Sequence, residues 1–217
     1  MPRIALIHAL SHSVDPINTA MASGWPDAIL MNLLDDSLSA DLATSGRGLD
    51  AAMHERFQAL AAYAVGTGAQ GILFTCSAFG SCIEAVARRY PHIPVLKPNE
   101  AMIADAEKAA GPVGLISTFG PTLKSMPAEF PADLDVRYAL APGALDALDR
   151  GDVRQHDALI AEQARLLAAA GCNTIALAQF SMARARNACE QASGKPILTT
   201  VHSAMRELKQ RLSCHAS

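Results

Sequence analysis

Cys76 is the residue best placed for chemistry, because it ends an apolar run that the chain repeats later. Residues 68–79 (GAQGILFTCSAF) and 171–182 (GCNTIALAQFSM) share the order of glycine, polar step, apolar run and polar residues, at a constant offset of 103. In the second copy, Gln179 stands at the position of Cys76. A duplicated α/β unit could place these two strand ends opposite each other on the two sides of one cleft. One side would then carry a thiol and the other an amide.

The position of Cys76 indicates how its thiol would act. The residue lies between a predicted strand and the start of a predicted helix. Backbone amides and the helix dipole favour a thiolate at such a place, so we expect a lowered pKa for Cys76. The same amides would bind a carboxylate. A buried, apolar cysteine is the alternative interpretation, and it is the one we favour for Cys82, Cys172 and Cys189.

Four hydroxyl side chains follow predicted strands and could bind an anion. Ser117 and Thr118 lie in a strand-to-helix turn, where hydroxyls and amides suit a carboxylate. Ser77 and Ser181 lie just after the two repeated strands. The alternative role for each hydroxyl is to cap the next helix or to close a local turn.

His8 and His202 follow the first and last predicted strands and could serve as acid, base or orienting groups. A structural histidine with satisfied hydrogen bonds is the alternative for each of them. Asp35 and Asp36 follow the second strand, where a solvated loop or a helix cap is expected.

Composition and spacing argue against several classes of protein. The net charge is −3 and the basic residues are scattered, so we expect no nucleic-acid partner. The five cysteines form no CxxC pair, which argues against a disulfide framework and favours a reducing, cytoplasmic location. Metal-ligand spacing and nucleotide-binding glycine patterns are both missing, so we expect no metal and no cofactor. No apolar run approaches the ~20 residues of a membrane span.

Strands and helices are predicted to alternate along the chain. Apolar runs predict strands at 4–7, 28–31, 94–96, 113–116, 135–140 and around 197, and in the runs that end at Cys76 and Gln179. Periodic segments predict helices at 49–65, 78–89, 153–169, 183–191 and 204–212, with further helices opening at Asp15–Pro16 and 119–122. Asp15 is the expected cap of the first helix. This alternation predicts right-handed βαβ units and parallel sheets, which bind ligands at the carboxyl ends of their strands.

Five segments resemble the aspartate/glutamate/hydantoin racemase superfamily, and together they extend over nearly the whole chain. The strand-end cysteine in residues 74–78 resembles the family's first catalytic-cysteine motif, and residues 113–122 resemble its carboxylate-binding turn. Residues 175–179 stand where a second catalytic cysteine is usual. Residues 196–201 resemble the final strand, and residues 32–38 are similar to bacterial members.

The resemblance implies an α/β fold of two pseudo-symmetric lobes, each a mostly parallel four-stranded sheet flanked by helices in a flavodoxin- or Rossmann-like arrangement. It implies lobes at residues 1–98 plus 203–217 and at residues 99–202, with the site between them. It also implies a cofactor-independent isomerase that acts on a small amino acid or carboxylate, in a homodimer. In such enzymes two cysteines face opposite sides of the α-carbon, and one removes a proton while the other returns one.

The chain departs from this pattern at Gln179, whose amide cannot accept or deliver a proton as an acid or base near neutral pH. Cys172 cannot replace it, since seven residues of strand span ~23 Å. Three hypotheses remain: a racemase in which Cys76 works with His8 or His202, an isomerase or lyase that uses Cys76 alone, and a carboxylate-binding protein without turnover. The expected catalytic residues are Cys76, Gln179 and His8, and the expected substrate-binding residues are Ser77, Ser117, Thr118, Ser181 and His202.

Overall fold

The structure is a computed structural model that describes residues 1–215. Its strands are β1 (Arg3–His8), β2 (Ile29–Leu34), β3 (Gly71–Phe74), β4 (Val95–Leu96), β5 (Val113–Ser117), β6 (Val136–Leu140), β7 (Thr174–Leu177) and β8 (Ile197–Thr199). Its α-helices are α1 (Val14–Gly24), α2 (Ser37–Ser45), α3 (Ala51–Gly66), α4 (Gly80–Arg89), α5 (Glu100–Glu107), α6 (Gly120–Ser125), α7 (Ala144–Asp149), α8 (Val153–Ala169), α9 (Arg186–Ser193) and α10 (Thr200–His215). Short 3-10 turns lie at Ser11–Ser13, Ser77–Phe79, Met126–Glu129 and Phe180–Ala185.

The chain divides into two compact units. Unit 1 comprises Met1–Pro98 and the chain from Ala204, and unit 2 comprises Asn99–Ser203. Sheet 1, in unit 1, has the strand order β2-β1-β3-β4, and sheet 2, in unit 2, has the order β6-β5-β7-β8. All neighbouring strands are parallel. The predicted α/β fold with two four-stranded sheets is confirmed, and both sheets are parallel throughout rather than mostly so.

The central strands of both sheets are buried on both faces, as their continuous apolar runs require. Every residue of β3, β5 and β7 is buried, and so is every residue of β1 after Arg3. The edge strands β2 and β6 are only partly buried. The carboxyl ends of the two central strands therefore extend from a well-packed core in each sheet. These strands are β1 and β3 in sheet 1 and β5 and β7 in sheet 2.

The sequence repeat extends to the backbone that positions these strands. Asp50 caps α3 by accepting from the Met53 amide at 2.9 Å, and Asp152 caps α8 by accepting from the Gln155 amide at 3.1 Å. Both helices lead into a glycine with positive φ, Gly68 at +87° and Gly171 at +96°. Glycine adopts this left-handed conformation without steric cost, so the chain can turn sharply into the next strand.

Two predicted helix starts were wrong. Helix α1 begins at Val14 with Ser13 at the N-cap position, because a 3-10 turn precedes it, so Asp15 lies inside the first turn. Helix α10 begins at Thr200 rather than at residue 204, although Thr199 and Thr200 have the β-branched side chains typical of strands. The Thr199 hydroxyl accepts from the His202 amide at 3.2 Å, which is the bonding pattern of a helix N-cap.

Candidate functional site

His8 ends β1 and forms the centre of a polar cluster, here called the His8 cluster (His8, Ser13, Asn32 and Thr75). His8, Ser13 and Thr75 are buried, whereas Asn32 is exposed. Its Nε2 lies 3.0 Å from Asn32 Oδ1, and its Nδ1 lies 3.0 Å from both Ser13 Oγ and Thr75 Oγ1. The Asn32 oxygen can only accept, so Nε2 carries the proton and Nδ1 accepts from a hydroxyl. Burial lowers the pKa of His8, and the hydrogen bond to Asn32 opposes this only in part. The imidazole is therefore neutral near pH 7.

Cys76 lies two residues after the end of β3 and is partly exposed. Its sulfur is packed in a narrow recess that is mainly apolar, lined by Ile7, His8, Ala9, Leu38, Phe57, Phe74 and Phe79. Burial in this recess raises the pKa of the Cys76 thiol, while hydrogen bonds from the Ala78 amide and the Ser39 hydroxyl lower it by less. The prediction of a lowered pKa was wrong.

The following backbone explains the raised pKa of Cys76. Ser77–Phe79 form a 3-10 turn, and α4 begins only at Gly80, so the sulfur meets a single amide rather than a helix end. Apolar side chains from other parts of unit 1 surround Cys76, and their effect on its pKa is the largest, because desolvation disfavours the thiolate. Cys76 is a neutral thiol at neutral pH.

Three further cysteines are fully buried. Cys82, Cys172 and Cys189 belong to the apolar cores of their units, as their sequence context predicted. Burial raises the pKa of Cys189 to about 12. The Cys82 sulfur lies 3.6 Å from His54 Nδ1, a contact between α4 and α3 that sequence spacing did not indicate.

On sheet 2, one side-chain oxygen collects three hydrogen bonds. Gln179 Oε1 accepts from the Thr118 amide at 2.8 Å, from Thr118 Oγ1 at 2.9 Å and from Ser117 Oγ at 3.1 Å. A backbone N–H can only donate, so the oxygen of the Gln179 amide faces the turn. The three residues are here called the Gln179 cluster. The turn that was predicted to bind an anion thus binds the Gln179 side chain of the same protein.

The strand registers make the two clusters equivalent. Ile7 of β1 lies opposite Phe74 of β3, and Ile116 of β5 lies opposite Leu177 of β7. His8 and Ser117 are therefore matched residues, and each is the last residue of its strand. Cys76 and Gln179 are matched in the same way, two residues after β3 and β7. Each sheet carries its polar groups at the same place, with a thiol on sheet 1 and an amide on sheet 2.

The remaining predicted residues lie beside these clusters. Ser77 is the half-buried first residue of the turn after Cys76, and Ser181 is half-buried in the 3-10 turn after Gln179. His202 lies inside α10 rather than in a loop after β8, and its Nδ1 lies 2.6 Å from Thr199 Oγ1. On sheet 1 the structure groups His8, Cys76 and Ser77, and on sheet 2 it groups Ser117, Thr118 and Gln179.

The partners of His8 were not identified from the sequence. Thr75 precedes Cys76, Ser13 lies in a 3-10 turn, and Asn32 lies in the middle of β2. Asn32 interrupts an apolar strand, but its side chain is exposed, so its position in the sequence does not require a protein partner. Within residues 1–215, no group of three or more His, Cys, Asp or Glu side chains is arranged to bind a metal ion. Within the same residues, no helix is both long and apolar enough to cross a membrane.

Gln179→Leu is expected to destabilise the protein by about 2–3 kcal/mol, because the buried Thr118 amide and its neighbouring hydroxyls lose their acceptor. Urea unfolding, followed by circular dichroism, measures this loss. Gln179→Glu is the matched control, since it keeps an acceptor oxygen at the same place and should retain most of the stability. Equal stability of the leucine variant and the native protein would show that these hydrogen bonds contribute nothing to folding.

Known structures share this architecture. An aspartate racemase homologue from Pyrococcus horikoshii matches 98% of this chain and 100% of its own, with a TM-score of 0.74 and 13% identity. The allantoin racemase of Klebsiella pneumoniae matches 99% of this chain and 89% of its own (TM-score 0.71, 16% identity). A glutamate racemase from Francisella tularensis, solved with D-glutamate, matches 99% and 82% (TM-score 0.70, 14% identity). At these identities the likeness concerns the fold alone.

Sequence comparison identifies the family. No curated protein matches the chain. The family described as Asp/Glu/Hydantoin racemase matches residues 14–208, which include Cys76, the whole Gln179 cluster and most of the chain. The chain therefore belongs to the Asp/Glu/hydantoin racemase family.

Proposed function

We propose that the protein is a cofactor-independent racemase or isomerase that acts at the α-carbon of a small amino acid or carboxylate, with Cys76 as its acid–base group. The observation that carries the proposal is the place of Cys76, a partly exposed thiol at the carboxyl end of a central strand. Ligands of open parallel sheets bind at such strand ends. Membership of a racemase family supports chemistry of this class.

The raised pKa of Cys76 sets the order of events. The resting thiol first loses its proton to hydroxide or buffer. The thiolate then takes the α-proton, the C–H electron pair stays on carbon, and the resulting carbanion is protonated again. Gln179 cannot supply this second proton. With one thiol, the abstracted proton exchanges with solvent while it is on the sulfur, and a solvent proton then returns to the same face of the carbon. This gives hydrogen exchange without inversion, whereas inversion requires a second donor on the other face.

The other predicted residues receive binding and positioning roles in this proposal. Ser77, next to Cys76, would bind a carboxylate oxygen. Ser117 and Thr118 would bind one as well, because a ligand carboxylate has the same acceptor chemistry as the Gln179 oxygen that they now hold. Gln179 would then turn away and bind ligand through its amide.

The histidines differ in what they can contribute. His8 is fully buried with both ring nitrogens bonded, so we assign it to positioning Thr75, the neighbour of Cys76, rather than to proton transfer. His202 is half-buried, and we assign it as the candidate for a second proton donor. Ser181 remains a predicted ligand contact.

Decarboxylation is the second candidate, and the raised pKa of Cys76 favours it. A neutral thiol is ready to act as an acid without prior ionisation. In that reaction the bond between the α-carbon and a carboxylate breaks, carbon dioxide leaves, and the electron pair stays on carbon. Cys76 then donates its proton to the carbanion and regains one from water.

Incubation with amino acids, dicarboxylic acids and malonates in heavy water tests the proposal. Proton NMR would follow α-hydrogen exchange, polarimetry would follow inversion, and carbon dioxide release would be measured in parallel. Exchange with inversion supports a racemase, exchange alone supports one-base chemistry, and carbon dioxide release supports the lyase. Absence of all three signals across the panel, together with ligand-induced thermal stabilisation, would identify a binding protein and overturn the proposal.

The pH dependence separates the two candidates. For proton abstraction the active form is the thiolate, so the rate should rise with pH and keep rising beyond 9.0, the ordinary thiol pKa, because burial raises the pKa of Cys76. For decarboxylation the active form is the thiol, so the rate should fall as the pH passes through the same raised pKa. Initial rates measured across this pH range, in buffers of constant ionic strength, show directly whether the rate rises or falls with pH.

A further inference from the structure

Asn99 and Thr200 are among the buried polar side chains of unit 2 that have unmet hydrogen-bonding capacity. Asn99 is 1% exposed, and neither its Oδ1 nor its Nδ2 has a hydrogen-bond partner among the described residues. Thr200 is 0% exposed, and its Oγ1 also has no partner among them. Buried polar side chains are nearly always paired, since an unpaired one costs roughly 1–3 kcal/mol.

Asn99 is unusual in a second respect. It occupies the N-cap position of α5, and its carbonyl accepts from the Ile103 amide at 3.0 Å, yet its side chain makes no capping bond. Asparagine is a favoured N-cap because that bond satisfies an otherwise orphaned amide. Here the side chain forgoes this bond and keeps two donors and an acceptor available.

Both residues lie at the carboxyl edge of sheet 2, where the Gln179 cluster lies. Thr199 of β8 is opposite Leu177 of β7, so Thr200 lies beside the residues that follow β7, at about the 5 Å spacing of neighbouring strands. Helix α5 packs on β7 and β8 and leads into the amino end of the parallel strand β5. Its first residues therefore face the opposite, carboxyl edge.

We infer that Asn99 and Thr200 form a subsite for a primary carboxamide on a ligand whose carboxylate binds the Ser117–Thr118 turn. This inference deepens the proposed function and rests on it for the carboxylate. A carboxamide both donates and accepts, so it can satisfy the Asn99 amide and the Thr200 hydroxyl together. An ammonium group has no acceptor for Asn99 Nδ2, and a second carboxylate has no donor for Asn99 Oδ1.

Binding of three matched probes tests the subsite. Succinamate, succinate and β-alanine each carry one carboxylate and differ in the second group, which is an amide, a carboxylate or an ammonium. Calorimetry with the full-length protein should show succinamate binding at least tenfold more tightly than the other two. Asn99→Leu and Thr200→Val should each remove this preference. Thr174→Val, at the amino end of β7, is the matched control and should retain it.

Stability provides the second readout. Removing an unpaired buried amide should leave the melting temperature of the unliganded protein unchanged or raise it, so Asn99→Leu should not be destabilising. A melting temperature lowered by several degrees, or a variant that fails to fold, would assign Asn99 to the fold and overturn the inference. Equal or tighter binding of succinate or β-alanine would also overturn it, and so would no binding of any probe.

The two proposals fail in different ways. If succinamate binds with the expected preference and no compound shows α-hydrogen exchange, the catalytic proposal fails and the subsite stands. If exchange occurs and Asn99→Leu leaves all three affinities unchanged, the subsite fails and the catalytic proposal stands.

Discussion

Cys76→Ala is expected to reduce α-hydrogen exchange by about 10²–10⁴-fold, the usual contribution of a positioned acid–base group. The substitution removes a thiol that is partly exposed and lies at a strand end. Among the described residues of unit 1, no other thiol has both properties. Cys76→Ser should lose nearly as much, because a serine hydroxyl ionises far less readily than a thiol. Exchange in heavy water, read by proton NMR at one fixed pH, gives the comparison.

Cys82→Ala is the matched control for this loss. Cys82 lies six residues further on, fully buried in the core of unit 1 and in contact with His54. Its removal should cost about 1 kcal/mol of stability through lost packing and leave the exchange rate per folded molecule unchanged. Full activity in Cys76→Ala, or an equal loss in Cys82→Ala, would remove Cys76 from the mechanism.

His8→Leu is expected to lower the free energy of unfolding by roughly 2–4 kcal/mol. Leucine fills a similar volume but removes the ring nitrogen that the buried Ser13 and Thr75 hydroxyls share, so they keep only each other and backbone carbonyls. The exposed Asn32 oxygen can bind water in place of the lost donor. For a chain of this size the melting temperature should fall by about 5–15 °C. His92→Leu, at an exposed histidine of the same unit, should change stability by no more than about 0.5 kcal/mol.

The stability supplied by the His8 cluster should depend on pH. Burial lowers the pKa of His8 in the folded protein below its ordinary value of 6.5, so the unfolded chain binds a proton more readily. The contribution is fully present above that ordinary value and is lost as the pH falls toward the lower folded pKa. Urea unfolding between about pH 5 and 8 should show this slope in the native protein and a smaller slope in His8→Leu. An unchanged slope would assign the dependence to other groups.

Continuous apolar runs and capped helices were predictable because local sequence determines them. The strands around residues 4–7 and 113–116 and the helix at Val153–Ala169 appear where the sequence predicts them. The short helices α2, α5 and α7 were not predicted. Helices of six to nine residues are unstable alone, so packing against a finished sheet decides whether they form.

The candidate site could likewise be predicted only in part from local sequence. Its residues could be named, since polar side chains after buried strands mark the carboxyl edge of a parallel sheet. Their interactions depend on contacts between distant parts of the chain. The bonds from Thr118 to Gln179 join residues 61 apart, and Phe57, which helps to desolvate Cys76, comes from α3. Neither contact is visible in local spacing, so the direction of the pKa shift of Cys76 was predicted wrongly.

The division of the chain has a consequence for biosynthesis. Unit 2 is one uninterrupted stretch, Asn99–Ser203, whereas unit 1 also needs the chain from Ala204. Leu208 of α10 is fully buried and packs over Gly71 of β3, so sheet 1 gains this cover only when the segment after residue 204 has left the ribosome. Domains usually fold during translation in the order in which they are made. We therefore expect unit 2 to complete its fold before unit 1, so a nascent chain stalled before residue 204 would carry a finished second unit and a first unit that still lacks most of α10.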